Sequence, residues 1–276
     1  MIRRRLFTAA LVAATALALT FLALPLLAIF LRVAPGELVS QLGNDVVLDA
    51  IVVTAKATLI SQALILLVGT PTAYLIASRS FRGRALVITL VELPLVLPPA
   101  VAGLALLATF GRLGLLGGTF EALGVTVSFT QAAVVLAVTY VASPFYLRQA
   151  IASFEALDNS LLDASRTLGA GPARTFFRIA LPLAASGLAA GAALSFARGI
   201  GEFGATIMFA GSLQGVTQTL SLAIYAQFDL NLDLALALGA LLVLLSAAIL
   251  LAAKLLPAWT RSTSTLLSPF ARFGSS

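Results

Sequence analysis

Long apolar stretches separated by short polar joints make up most of this 276-residue chain. A helix rises about 1.5 Å per residue, so about 20 apolar residues cross a hydrocarbon core of about 30 Å. Six stretches are near or above that length: Leu6–Leu31, Ala57–Ala77, Leu93–Phe110, Val125–Leu147, Ile179–Ala197 and Leu234–Ala253. The pattern predicts an all-α polytopic membrane protein with about six transmembrane helices.

Two of these stretches are irregular. The run from Leu93 to Pro99 contains three prolines, which predict a kink or an irregular start to the third span. The apolar run from Ile179 to Gly211 is too long for one perpendicular span, so it must tilt, break near Gly199 and Gly201, or re-enter the membrane.

Composition agrees with a membrane protein, since 60% of the residues are hydrophobic and only 10% are charged. A soluble domain has about a quarter of its residues charged. Cys and His are both absent, which removes disulfides, thiolate nucleophiles, the commonest zinc ligands and the commonest general base. We therefore expect neither a catalytic residue nor a metal site.

The distribution of basic residues predicts the orientation. Thirteen of the 17 Lys and Arg residues lie at the N-terminus, in the second and fourth joints and in the C-terminal tail, against four on the other side: Arg32, Lys56, Arg112 and Arg198. Cytoplasmic joints collect Lys and Arg, so both termini are predicted to be cytoplasmic. The run after Arg5 is longer than the about 7–15 apolar residues of a signal peptide, which favours an uncleaved first helix. The net charge of +6 is therefore explained by basic residues at the membrane surface, and we expect no nucleic-acid partner.

The longest predicted cytoplasmic joint, Arg148 to Arg178, has the pattern of two short helices with a sharp turn between them. Asp158, Asn159 and Ser160 are competent N-caps for the first helix. Gly169 stands where a residue with positive φ would end that helix, and Pro172 suits the first turn of the next. One apolar stripe is predicted on the first helix: Leu161, Leu162, Ser165 and Leu168.

Within this joint, Asp163-Ala164-Ser165, Gly169 and Ile179-Ala180-Leu181-Pro182 stand at fixed spacing. The spacing resembles the signature loop of binding-protein-dependent ABC permeases: a Glu-Ala-Ala triplet, three residues, Gly, nine residues and Ile-x-Leu-Pro. In this chain Asp163 replaces the Glu of the triplet, and Ser165 replaces its second Ala. The resemblance implies the transmembrane fold of type-1 ABC importers, with a helix that docks on a cytoplasmic ATPase. It assigns that coupling role to Asp163, Ala164, Ser165, Gly169, Ala170, Pro172, Phe176, Phe177, Ile179, Leu181 and Pro182.

The resemblance covers roughly Asp49 to Ala253, and four stretches are most similar to molybdate permeases, with tungstate and sulfate permeases next. They are Leu93–Pro99, Gly111–Gly114, Ala197–Thr206 and Thr217–Tyr225. It implies an N-terminal helix and outer loop over 1–48, a permease core over 49–256 that contains the coupling loop 148–178, and a cytoplasmic tail over 257–276. The resemblance implies that the protein translocates an oxyanion, and it favours molybdate as that oxyanion.

The resemblance also implies the partners. They are a cytoplasmic ABC ATPase in two copies, an extracytoplasmic oxyanion-binding protein, a second permease copy in a homodimer, and the cell membrane of a prokaryote. The chain has no G-x-x-x-x-G-K-[ST] phosphate loop. ATP and Mg²⁺ are therefore expected in the ATPase partner, and we expect no cofactor bound by this chain.

Candidates for the translocation pathway are Arg198, Glu202, Thr206, Thr217 and Thr219. Arg198 and Glu202 have i, i+4 spacing, which places them on one helix face if the fifth span continues past Ala197. They either flank the outer part of the pathway or form a static ion pair that locks the helix.

Two other classes of protein are less compatible with the sequence. A secondary transporter or channel would favour inverted repeats and buried carboxylates, and would leave the spaced loop unexplained. An intramembrane enzyme would need an activated nucleophile or a His-based metal site.

Overall fold

A computed structural model describes residues 2–33 and 35–265, and most of these residues are helical, with no strand among them. The helices are α1 Ile2–Arg32, α2 Pro35–Gln41, α3 Asp45–Ser78, α4 Arg84–Val96, α5 Pro99–Phe110, α6 Gly117–Ala122, α7 Gln131–Glu155, α8 Asn159–Thr167, α9 Pro172–Thr175, α10 Leu181–Ile200, α11 Gly204–Ala210, α12 Leu220–Phe228 and α13 Leu232–Thr265. A π-helical turn, Phe176–Ala180, joins α9 to α10.

Within residues 2–33 and 35–265, five helical segments are long and apolar enough to cross a membrane, and the bent pair α4 and α5 raises the number to six if it counts as one span. The five lie in α1, α3, α7, the continuous segment Pro172–Ile200 and α13. The prediction of about six transmembrane helices is confirmed by length and composition.

The third span departs from its predicted form. The predicted start at Leu93 is wrong, because α4 begins at Arg84; α4 is bent by 113° from α5. Leu97 and Pro98 are extended at the break, since a residue before proline avoids the helical region and proline has no N–H to donate. The kink predicted in the Leu93–Pro99 run is confirmed.

Other boundaries also shift. α3 begins twelve residues before the predicted Ala57, because Asn44 caps it by accepting the Val46 N–H at 2.9 Å. α7 begins at Gln131, so residues 125–130 of the predicted fourth span are not helical. Of the three options for Ile179–Gly211, the structure has a break: α10 ends at Ile200 and α11 starts at Gly204. Within the predicted tail 257–276, α13 continues to Thr265, and residues 266–276 lie outside the described residues.

The centre of the bundle is the packing of α3 and α10 on α7. Gly69 in α3 faces the Tyr146 ring, where an added Cβ would lie 3.0 Å from Cδ1. The Tyr146 hydroxyl lies 2.6 Å from Thr70 Oγ1, and the Ser61 hydroxyl donates to the Val135 carbonyl at 2.9 Å. Close contact at small residues with hydroxyl bonds across helices is typical of packing in lipid.

Ion pairs join the helix ends on the side predicted to be cytoplasmic. Arg84 at the start of α4 pairs with Glu155 at the end of α7, and Arg148 Nε lies 3.0 Å from Glu92 Oε1. The second and fourth joints of the chain therefore lie on the same side, as the distribution of basic residues predicts.

Candidate functional site

The joint between α7 and α10 folds as two short helices, which we call the coupling hairpin (residues 158–178). Asp158 caps α8 by accepting the Ser160 N–H at 2.9 Å. The Ser160 hydroxyl, followed by its N–H, holds the pKa of the Asp158 carboxyl below its usual range. Pro172 occupies the first turn of α9. The two short helices, the N-cap and the position of the proline are confirmed.

Gly169 ends α8 with φ +81°, a positive value as predicted. The Gly169 N–H donates to the Arg166 carbonyl at 2.9 Å and the Ala170 N–H to the Ser165 carbonyl at 3.0 Å. These two bonds form a Schellman motif, which satisfies carbonyls that the end of a helix leaves without partners. No atom lies within 4 Å of a Cβ built on Gly169, so the backbone conformation alone requires glycine there.

The predicted apolar stripe on α8 is wrong for two of its four residues. Leu162 and Ser165 are buried, whereas Leu161 is 48% and Leu168 is 87% exposed. The burying surface is narrow because a helix of nine residues meets only α9 and the π-helical turn. The hairpin therefore exposes two leucines on one side of α8. Asp163 is exposed on another side of the helix, where its Oδ1 lies 3.0 Å from Arg166 Nη1.

The second half of the hairpin is anchored to the membrane helices. Phe176 stacks at 4.8 Å between ring centroids against Tyr74 of α3 and contacts Phe154 of α7, while Phe177 is 64% exposed. Ile179 and Leu181 are partly buried and Pro182 is exposed at the start of α10. The second part of the signature-like motif, Ile179 to Pro182, thus lies on one continuous helical segment, Pro172–Ile200. Its first part, Asp163 to Ser165, belongs to α8.

Small residues let α10 approach α7 closely. A Cβ on Gly187 would collide with Ser153, and a Cβ on Gly191 would lie 3.0 Å from Gln149 Cβ. Ser195, which is fully buried on the same helix, donates to Gln62 Oε1 of α3 at 3.0 Å. Mid-span positions of α10 are therefore in direct contact with both neighbouring helices.

At the far end of α10, Arg198 Nη2 lies 2.6 Å from Glu202 Oε2. The helix continues past Ala197 only to Ile200, and the ion pair spans its end. Glu202 is 1% exposed, and its Oε1 accepts the Ala205 N–H at 2.7 Å. The pair thus fixes the break between α10 and α11.

The three predicted pathway threonines are buried within the chain and follow the same break. Thr217 accepts the Leu213 N–H at 2.9 Å, while Thr206 and Thr219 have buried hydroxyls without a hydrogen-bond partner among the described residues. Beside Thr219, the Leu220 N–H donates to Thr54 Oγ1 of α3 at 2.8 Å. The structure therefore gathers the predicted pathway residues around the ends of α10 and α12, next to α3.

Sequence reasoning missed Lys56. It was assigned to an outer joint, but it lies inside α3, twelfth from Asp45, with an exposed side chain. No carboxylate of the described residues lies within 4.0 Å of its amine. The signal in the sequence was the apolar run before it, Val46–Ala55, which Asp49 alone interrupts.

Comparison with known proteins gives matches over most of the chain. Residues 65–262 match the family described as binding-protein-dependent transport system inner membrane component. The molybdenum transport system permease protein ModB of Mycobacterium tuberculosis is 43% identical over 242 residues, which cover 84% of this chain and 88% of that protein. The sulfate transport system permease protein CysW of Synechococcus elongatus is 35% identical over 198 residues, covering 71% of this chain and 69% of that protein.

A solved structure supports the fold. A chain of the bacterial alginate ABC transporter, crystallised in complex with an alginate pentasaccharide-bound periplasmic protein, superposes with a TM-score of 0.70 at 20% identity. The match covers 91% of this chain and 93% of that chain. The predicted transmembrane fold of ABC importers is confirmed by this likeness.

Proposed function

The chain belongs to the family of binding-protein-dependent transport system inner membrane components, and on that premise we propose that it is the permease subunit of an ATP-driven importer for an oxyanion, most of all molybdate. The family assigned from the spaced loop is confirmed. Identity of 43% to a molybdenum permease over 84% of the chain supports the cargo. The observation that carries the mechanism is the coupling hairpin, which is rigid, exposed and continuous with α10.

In this proposal the cytoplasmic ATPase docks on the exposed face of α8. Leu161 and Leu168 supply apolar contact, and Asp163 supplies a negative charge on another exposed side of the helix. Two ATPase copies would serve two permease copies, with ATP and Mg²⁺ held by the ATPase. This sequence has no phosphate loop, which supports the placement of ATP binding in the partner subunit.

Movement of the hairpin would reach the membrane through α10. The helical segment runs without a break from Pro172 to Ile200, including one π-helical turn, a feature often found at functional sites. Gly187 and Gly191 place no side chain of α10 against α7, so only the α7 side chains Ser153 and Gln149 lie in the contact along which α10 would slide. The Arg198–Glu202 pair at the end of α10 would transmit that displacement to α11.

The cargo would pass along a surface that this chain provides together with a second copy. A dianion is favoured by cations and neutral hydrogen-bond donors and disfavoured by unpaired carboxylates. Lys56 is exposed on α3, and the single carboxylate at the break, that of Glu202, is neutralised by Arg198. The predicted pathway residues Thr206, Thr217 and Thr219 lie near that break. A binding protein outside the cell would deliver the anion.

Sulfate or tungstate is the alternative cargo, supported by 35% identity to a sulfate permease. The test is uptake of radiolabelled molybdate in a strain that lacks this subunit, before and after complementation. Loss of high-affinity molybdate uptake with sulfate uptake intact supports molybdate. Loss of sulfate uptake alone would assign the chain to sulfate.

The docking proposal has its own test. Asp163→Lys reverses a charge on the exposed face of α8, while Asp163→Glu keeps it. Since an exposed pair such as Asp163–Arg166 contributes at most about 1 kcal/mol, the lysine variant should fold and insert normally. We expect Asp163→Lys to lose the co-purifying ATPase and Asp163→Glu to retain it. Equal retention in both would exclude Asp163 from the interface.

The orientation, with both termini cytoplasmic, is also proposed. A single Cys at Ala173 in the coupling hairpin should react with impermeant reagents only after the cytoplasmic face is exposed. A Cys at Gly118, where a Cβ has no atom within 4 Å, should react in intact cells. Labelling of Ala173→Cys from outside would reverse the topology.

A further inference from the structure

A cavity of about 280 Å³ lies between the end of α3 and the coupling hairpin. Tyr74, Leu75, Ser78 and Arg79 line it from α3, and Arg166 and Thr175 line it from the hairpin. Two elements distant in the chain therefore each contribute one guanidinium group to the same open cavity.

The cavity carries net positive charge. Arg166 uses Nη1 for Asp163, which leaves its other guanidinium donors for the cavity. No carboxylate of the described residues lies within 4.0 Å of Arg79. One arginine is thus neutralised in part and the other not at all. Paired guanidinium groups with a hydroxyl from Ser78 match the geometry of a tetrahedral oxyanion such as phosphate.

The position of the cavity relative to the bilayer identifies the source of that phosphate. Arg79 directly follows the last residue of α3, a helix long and apolar enough to cross a membrane, and the rings of Tyr74 and Phe177 both contact the Phe176 ring. Aromatic and basic side chains gather at the headgroup layer, and basic pockets between helices at the cytoplasmic surface suit anionic lipid headgroups.

An apolar track leads away from the cavity along α3. Leu64, Val68, Pro71 and Leu75 repeat at i, i+4, i+7 and i+11, and all four are exposed. The track begins at the cavity, because Leu75 lines both. A free phosphate ion would make no use of these side chains, whereas the acyl chain of a lipid would cover them.

We propose that this cavity binds the phosphate of an anionic phospholipid of the cytoplasmic leaflet, between Arg79 and Arg166, with an acyl chain along the exposed face of α3. The lipid bridges the membrane helix α3 and the coupling hairpin. It therefore holds the hairpin in its position at the membrane surface. This role is independent of which oxyanion the protein imports.

The test measures lipid retention by the full-length chain, purified and delipidated in detergent, by native mass spectrometry. Phosphatidylglycerol should bind more tightly than phosphatidylcholine. Arg79→Gln should weaken phosphatidylglycerol binding about fivefold, as expected for one basic residue near an anionic headgroup. Arg82→Gln is the matched control, because Arg82 lies in the same joint without lining the cavity, and it should retain full binding.

A second variant tests the cavity without changing charge. Ser78 is exposed, so Ser78→Phe should fold while filling the space, and it should also lose phosphatidylglycerol. Equal retention by the wild-type chain, Arg79→Gln and Ser78→Phe would overturn the proposal. Displacement of phosphatidylglycerol by millimolar inorganic phosphate would assign the cavity to a free oxyanion and would also overturn it.

Discussion

Ser165 and Thr175 bring their hydroxyl oxygens to 3.1 Å, although they belong to different helices of the coupling hairpin. Both side chains are buried, and the Ser165 hydroxyl also donates to the Leu162 carbonyl at 2.7 Å. Because the Ser165 hydroxyl proton is used in that bond, the Thr175 hydroxyl is the donor to Ser165 Oγ. The contact fixes the angle between α8 and α9, so the serine that replaces the second Ala of the family triplet has a structural role here.

Removing one hydroxyl of this pair should lower the free energy of unfolding more than removing both hydroxyls. Ser165→Ala leaves the buried Thr175 hydroxyl unpaired, at about 1–3 kcal/mol, whereas Ser165→Ala with Thr175→Val leaves no unpaired group. We expect the melting temperature in detergent to fall for Ser165→Ala and to recover partly in the double variant. A double-mutant cycle measures the coupling. Strictly additive effects would mean that the two hydroxyls do not interact.

Gly169 gives a prediction that separates backbone strain from steric overlap. Its φ is +81° and no atom would contact an added Cβ, so Gly169→Val is strained by about 1–2 kcal/mol through the backbone alone. We expect a protein that inserts in normal amount but loses its ATPase and its transport. Gly171 is the matched control, since its φ of −67° is ordinary and its Cβ position is also empty.

Gly171→Val should therefore keep both ATPase and uptake, because a β-branched residue before Pro172 suits the extended backbone there. Retention of the ATPase by Gly169→Val would make the hairpin a structural connection only.

The hairpin could be predicted because its determinants are local. Asp158 acts through a side-chain bond to a residue two positions away, and Gly169 and Pro172 act through their own backbone conformations, so a sequence displays all three signals directly. The exposed leucines of α8 could not be predicted, since burial depends on how much of the bundle a short helix meets. Leu161 and Leu168 have the correct spacing for a buried stripe, yet no neighbouring helix covers them.

The break after α10 shows the same limit at the candidate pathway. The excess length of the apolar run predicted a tilt, a break near Gly199 and Gly201, or re-entry into the membrane. The choice between them follows from tertiary contacts: a Cβ on Gly199 would lie 3.0 Å from Val138 Cγ1, and Glu202 bonds the first turn of α11. Lys56 was missed because hydropathy marks where apolar residues begin, whereas the Asn44 cap determines where α3 begins.

Replacing both Arg198 and Glu202 should destabilise the protein less than replacing only one of them. Glu202→Gln leaves a largely buried guanidinium unpaired, and we expect a loss of about 3 kcal/mol in stability, measured by thermal unfolding in detergent. The exposed pair Arg112–Glu121, at 3.4 Å, is the matched control, and Glu121→Gln should cost less than about 1 kcal/mol.

The double variant Arg198→Gln with Glu202→Gln distinguishes the two roles considered for this pair. A stable double variant that imports normally would make the pair a static lock of the helix end. A stable double variant without uptake would place it in the pathway.

Lys56 gives the sharpest test of the pathway. Its side chain leaves a face of α3 on which Val52, Leu59 and Ile60 are also exposed and Asp49, two turns earlier, is partly exposed. A lysine within a membrane-spanning helix costs about 2.5–3.5 kcal/mol at the hydrocarbon centre, so it should face water or a partner instead of lipid.

If it attracts the dianion, Lys56→Gln should lower the rate of uptake at limiting substrate while insertion and ATPase binding stay normal. Lys56→Arg keeps the charge and should restore uptake, and Leu59→Gln is the control for polarity on the same face. Equal uptake by Lys56→Gln and the wild-type chain, measured with radiolabelled molybdate at low ionic strength, would exclude Lys56 from the pathway.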